Sequence, residues 1–176
     1  MGSPGLPNLI AVRIYLPATL PALRSLLDSG ELGEPPLPAY AVTPALREWY
    51  AVGDAEELEY AVLSLAATAS VRLLDADQDA VRRRVVVVAE VPDGSVEPAA
   101  HVDRAAVRVT TGVPLRLVQA VHVDDPSAVA DVTVAADAVV EADLGSQDAV
   151  FRLEGAEGHE LQWYASQEIG PLIELS

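Results

Sequence analysis

No cysteine and no lysine occur in this chain of 176 residues; all 11 basic side chains are arginines, set against 27 carboxylates. The missing cysteine excludes disulfides, thiolate metal sites and thiol nucleophiles. The formal charge of −16 sets phosphate backbones and anionic headgroups against most of the surface, so neither nucleic acid nor a membrane is an expected partner. A single Phe, a single Asn (Asn8) and abundant Ala and Val point to a GC-rich coding sequence and a high-GC bacterial source. Phosphate-cradling glycine loops are also missing, because the segment 30–33 encloses Glu31 and runs into a proline loop. The serines lack a nucleophile-elbow context: Ser70 falls within a helical pattern and Ser64 on its flank. Residues 1–8 carry no basic and apolar signal-peptide pattern and read as a flexible leader or cloning remnant, with 9–176 as one globular domain. No apolar run approaches the roughly 20 residues of a spanning helix, and a cytoplasmic location is the default expectation.

What is present is a strong core-forming pattern, with 51% hydrophobic residues in a chain of single-domain length. The segment 9–16 is β-branched and half alternating, with Ile10, Val12 and Ile14 on one side and Arg13 and Tyr15 on the other, which predicts a strand with one core face. Thr19 caps a helix opened by Leu20-Pro21, with Leu23, Leu26 and Leu27 inward and Gly30 as the stop. After a proline loop, 39–42 is a second short strand. Thr43-Pro44 starts a helix over 44–51, and Gly53 breaks it. Asp54 and Glu57 have capping-box spacing, and the helix they open runs to about residue 74, apolar on more than one side and therefore buried.

Residues 85–91 form a valine-rich run broken only by Glu90, expected to be central in the sheet and buried on both faces. The basic run Arg82-Arg83-Arg84 is then a charged strand entry whose arginines meet carboxylates. Pro92-Asp93-Gly94 is a turn, 106–110 a strand, 115–119 one helical turn, and 120–123 a short buried strand. Asp125-Pro126 starts a helix to about residue 140 with Val129, Val132, Ala136 and Val139 inward. Glycines 145, 155 and 158 fragment the pattern beyond it. For 159–169 a helix is preferred; the alternative is an edge strand with Leu161, Trp163 and Ala165 on one face.

Three constellations carry possible chemistry. His122 and Asp124 share one face of a strand and offer two ligands to a divalent metal, with a third required from His101, Asp103 or His159. Helix-cap chemistry accounts for the two adjacent carboxylates Asp124 and Asp125 without a metal, and that plainer reading is preferred. The second is Arg47, Glu48, Trp49, Tyr50, Glu56, Glu57, Glu59 and Tyr60, in which the Gly53 turn brings Arg47 and Trp49 beside Glu56 and Tyr60. Core-edge rings and a solvated first helical turn are the plain explanation there. The third is Glu160, Trp163, Tyr164, Gln167 and Glu168, where a helix places Glu160, Tyr164, Gln167 and Glu168 on one face; ordinary packing of Trp163 or Tyr164 is the competing account.

The segments 15–19, 43–50, 56–61, 83–91, 122–125 and 163–168 together resemble a family of actinobacterial proteins of unknown function. The likeness spans nearly the whole chain, and the Gly- and Pro-rich residues before Ile10 look like an addition to the family's start. The resemblance implies a high-GC Gram-positive origin and a cytosolic role, and it carries no reaction, cofactor or catalytic residue across.

The expected fold is therefore a single α+β domain, a mixed sheet of about five strands packed with helices, with a ferredoxin-like arrangement as the analogy. The leading functional expectation is a non-enzymatic interaction or regulatory module. Arg47, Trp49, Tyr50, Glu56, Tyr60, Trp163, Tyr164 and Glu168 would form its aromatic and acidic surface, facing a protein partner or a second copy in a homodimer. No cofactor is expected. The alternatives are a metal-assisted hydrolase using His122 and Asp124, and a small-molecule-binding domain.

Overall fold

The computed structural model describes residues 10–50 and 52–176. The expected leader 1–8, the strand residue Leu9 and the helix terminus Ala51 lie outside the described residues. Along the chain come β1 (Ala11–Ala18), α1 (Leu20–Ser29), β2 (Glu31–Leu32), β3 (Leu37–Tyr40), α2 (Pro44–Trp49), α3 (Ala55–Ala76), β4 (Val85–Pro92) and β5 (Val96–Pro98). They are followed by β6 (Ala106–Val109), β7 (Val113–Pro114), β8 (Val118–Asp124), α4 (Val129–Asp143), α5 (Gln147–Glu157), β9 (Leu161–Ala165) and α6 (Ile169–Glu174).

Local signals set most of these boundaries. The Thr19, Thr43 and Asp54 side chains accept from the backbone N–H groups of Ala22, Leu46 and Glu57, satisfying donors that the first turn of each helix leaves free. Gly30 ends α1 at φ 80°, a left-handed conformation that a Cβ would strain. Leu27, expected in the core, lies on the exposed side of α1.

Seven strands form the main sheet in the order β5-β6-β3-β1-β4-β8-β9, and β2 pairs with β7 in a separate ribbon. Among the described residues every pairing is antiparallel and the main sheet has seven strands, so the expected mixed sheet of about five strands is corrected in both count and direction. The additional strands are β5, a three-residue piece beyond the 93–95 turn, and β9, where the sequence pattern favours a helix. The ferredoxin-like analogy holds for one unit, β3 and β4 running parallel on either side of β1. It goes no further, because β1 and β3 are direct neighbours and helices cover both faces of the sheet.

Alternation sorts the core. Ile14, Leu16 and Ala18 of β1 and Val85, Val87 and Ala89 of β4 pack with Leu23 and Leu26 of α1 and Ile169 of α6. Tyr15, Val86 and Val88 face the other way, onto Leu46 of α2 and Leu58, Val62 and Ala66 of α3. β4 is thus buried on both faces, as its valine run predicts. Val71 and Leu74 extend α3 past the sheet to meet Val132, Ala136 and Val139 of α4 and Ala156 of α5.

Two polar groups fasten this centre. Ser70 is fully buried on α3; its hydroxyl donates to the Ala18 carbonyl at 2.7 Å and accepts from the Val85 N–H at 3.0 Å, tying the helix to the facing ends of β1 and β4. Arg84 and Asp124 form a buried bidentate pair with two N–O distances of 2.8 Å, and the same carboxylate accepts from the Arg84 backbone N–H at 2.7 Å. Arg83 donates to the Asp124 carbonyl and to the Ser176 hydroxyl. Of the three consecutive arginines only Arg84 meets a carboxylate among the described residues; Arg82 bonds the carbonyls of Leu74 and Asp77 and the side chain of Gln78.

Candidate partner-binding face

α3 lies across one face of the sheet over β1, β3 and β4, and leaves the outer strands β8 and β9 only partly covered on that side. β9 pairs with β8 in the register His122↔Trp163, so side-chain alternation places Trp163 beside His122 on the α3 face and turns Tyr164 to the opposite face. Tyr60, one turn into α3, projects toward the same uncovered region. Tyr60, Leu63, His122, Glu157, Glu160 and Trp163 line an open hollow of about 570 Å³. Tyr60 and Trp163 are each 61% exposed at its rim, more than an ordinary core-edge ring shows.

A neighbouring hollow of about 370 Å³ on the other flank of α3 is lined by Trp49, Tyr50, Ser64, Leu65, Arg104 and Glu157. Ser64 and Glu157 border both hollows. The Trp49 ring stacks on the Arg104 guanidinium, 3.7 Å from its centroid, a cation–π contact that satisfies one face of the ring. Thr43, besides capping α2, donates its hydroxyl to the Arg104 carbonyl and so anchors the loop that carries this guanidinium. Arg47 stands apart, in a third depression with Tyr50 and Glu59. The Gly53 turn therefore does not bring Arg47 and Trp49 beside Tyr60: α3 separates them.

The C-terminal constellation is also rearranged. In a strand rather than the preferred helix, Glu160, Tyr164, Gln167 and Glu168 no longer share a face. Glu160 and Trp163 belong to the α3-side hollow, while Tyr164 and Glu168 line a depression with Gln162, Asp125 and Leu172. The physical reason is the exposed edge of β8, whose backbone groups are satisfied by a strand and not by a helix. Glu168 keeps a defined role, its carboxylate accepting from the Ala165 N–H at 2.7 Å.

His122 and Asp124 do share a face, as strand alternation requires, yet they do not act together. Both Asp124 oxygens are taken by Arg84, and Asp124 is fully buried. His159 binds Arg84 through its carbonyl and Asp131 through its ring Nε2, the latter at 2.7 Å. His101 and Asp103 lie between β5 and β6, at the far edge of the sheet from β8. Among the described residues no group of three or more His, Asp or Glu side chains converges to hold a metal ion. The His122 imidazole is held below the usual histidine range, first by burial and then by the Arg13 charge. Asp125 does cap the turn after β8, accepting from the Ser127 N–H at 2.9 Å, and that bond holds its carboxyl below the usual range.

Residues 12–173 match the model of a family described as a family of unknown function (DUF6912). The chain belongs to this family. Its extent agrees with the resemblance carried by the 15–19, 43–50 and 122–125 segments, and the family description assigns no activity to any residue of the hollow. Neither the curated proteins nor the solved structures include a match. Among the described residues no helix is long and apolar enough to cross a membrane.

Proposed function

We propose that the protein is a non-enzymatic binding module that docks a protein partner on the face carrying Tyr60 and Trp163. The observation that carries this reading is the pairing of two well-exposed aromatic rings, from α3 and β9, around one hollow rimmed by Glu157 and Glu160. Exposed Trp and Tyr at a concave site are the residues that most often dominate binding energy, since they bury large apolar area at low entropic cost. Trp49 and Tyr50 extend the face across Ser64. A cytoplasmic setting belongs to the same proposal and is supported by the family resemblance.

Affinity capture with the wild-type chain and a Tyr60→Ala/Trp163→Ala double variant, side by side, tests it. The expected result is a partner recovered by the wild type and lost by the double variant while near-ultraviolet circular dichroism shows an intact core. Retention of every recovered partner by the double variant would sink the proposal. A second reading, small-molecule binding in the same hollow, is favoured by its volume, which falls within the roughly 300–1,000 Å³ of ligand pockets. Stoichiometric non-protein mass in native mass spectrometry would favour that reading over a protein partner.

A further inference from the structure

The outer edge of β9 is an open half of a hydrogen-bond ladder. The Asp124 N–H donates to the Arg84 carbonyl at 3.1 Å, so the backbone groups of Asp124 point toward β4. Successive residues of an antiparallel strand point their backbone groups to opposite sides, so Val123 and Val121 face β9. Their register partners Gln162 and Tyr164 are therefore the β9 residues bonded to β8. Leu161, Trp163 and Ala165 point their N–H and C=O groups away from the sheet. The bond from the Ala165 N–H to the Glu168 carboxylate runs in that outward direction and agrees with the assignment. Among the described residues no backbone hydrogen bond reaches the outward groups of Leu161 or Trp163, and β9 has β8 as its only strand neighbour.

We propose that β9 receives an extended, basic segment of a partner protein as an eighth strand of the sheet, paired through the outward N–H and C=O groups of Leu161 and Trp163. This rests on the binding-module reading and specifies how the partner is held. Main-chain pairing supplies affinity in such strand addition, and side chains alternating to the two faces supply selectivity. Both faces beside β9 are acidic: Glu157 and Glu160 border it on the α3 side, Asp125 and Glu168 on the other. The arginines beneath are occupied, Arg84 by Asp124 and Arg83 by Asp124 and Ser176. An incoming Lys or Arg on the α3 side meets the exposed face of Trp163 as well as Glu160. A second copy of this chain fits poorly, because two-fold pairing of β9 sets the same carboxylates against each other on two chains that each carry −16.

Three labelled peptides of about six residues, the usual strand length, test the proposal: alternating Lys-Val, alternating Glu-Val, and the Lys-Val sequence N-methylated at every backbone nitrogen, which matches the charge but lacks the donors in either register. Fluorescence anisotropy measures affinity, and amide hydrogen exchange read by NMR locates the contact. The Lys-Val peptide should bind about tenfold or more tightly than either other peptide. It should also slow exchange at the Leu161 and Trp163 amides, with no change at Gln162 and Tyr164, which are already bonded to β8. Trp163→Pro, which removes an outward donor and no β8 bond, should abolish the preference for Lys-Val over its N-methylated form, whereas Trp163→Ala should retain it. Equal affinity for the two lysine peptides, binding without protection of Leu161 and Trp163, or no binding by any peptide would each overturn strand addition. Protection of the same amides by raised protein concentration alone would overturn the foreign partner in favour of a second copy. Loss of the captured partner by the Tyr60→Ala/Trp163→Ala variant, with no edge protection by any peptide, would leave the docking face standing and remove only the strand.

Discussion

β8 borders two regions built on opposite terms. On its β4 side, polar groups are buried and saturated: Asp124 receives two guanidinium bonds and a backbone N–H, and Ser70 both donates and accepts between the ends of β1 and β4. On its β9 side, large apolar and polar groups stand open, with Trp163 exposed at the hollow and the outer ladder groups of Leu161 and Trp163 unpaired among the described residues. Buried polar groups left unmatched cost stability, so the first region has one arrangement it can hold. The second has surplus binding capacity that the fold itself does not consume. A strand can thus close the core with one edge's neighbours and serve recognition with the other's.

The largest test of that contrast is removal of Asp124. Asp124→Ala leaves the Arg84 guanidinium in the interior without its carboxylate, and such losses cost about 3–5 kcal/mol. Urea denaturation should show the midpoint falling accordingly. A joint Arg84→Met/Asp124→Leu replacement should recover part of the loss, because two apolar side chains leave no unpaired charge, while the Arg84 N–H that donated to Asp124 loses its partner. If the single variant proved as stable as the wild type, the saturated region would not be the fastening it is taken to be. Ser70→Ala comes next. It deprives the Ala18 carbonyl and the Val85 N–H of a shared partner, at about 1–3 kcal/mol, readable in the same titration.

The saturated region is only half legible in the sequence, and the open one hardly at all. The valine run 85–91 announces a strand buried on both faces, and Thr19, Thr43 and Asp54 announce their helices, because each signal is local and concerns few residues. Ser70 gives no sign of what it fastens. A buried serine in a helix declares its partners only when two strands 52 and 15 residues away are placed beside it. Asp124 looks like part of a turn, and its true partner lies 40 residues back in the arginine run. At 159–169 the aromatic and acidic spacing suits a helix as well as a strand, and the free edge of β8, which no local window contains, makes the choice. The α5 helix escapes a local reading because Gly155 lies within it, and glycine weakens any helix signal. Tyr60 and Trp163 both stand out in the sequence, yet their meeting across the hollow depends on that same strand.

On the open side the contrast predicts small effects on stability. Trp163→Ala removes a ring that is mostly in solvent and one cross-strand contact with His122, so the cost should stay below about 1 kcal/mol while partner capture is lost. A loss comparable to Asp124→Ala would mean that Trp163 belongs to the core and not to recognition.

The finest test uses His122, which sits between the two regions. Its imidazole titrates below the usual histidine value because burial, then Arg13, disfavours the cation. In the unfolded chain the ring protonates near its ordinary pKa of about 6.5, so the unfolded state takes up the proton first as pH falls. The stability contributed by neutral His122 is therefore complete above that value and is lost as pH drops through the lower native pKa. His122→Gln should flatten this part of the stability profile, and an unchanged slope would refute the assignment. Trp163 is the register partner of His122 and supplies part of the cover. Trp163→Ala should accordingly raise the His122 pKa toward the ordinary value, followed by NMR titration of the ring protons. A strand or ligand laid over the same hollow should move it the other way, so that one imidazole reports both on the buried side of β8 and on whatever occupies its open neighbour.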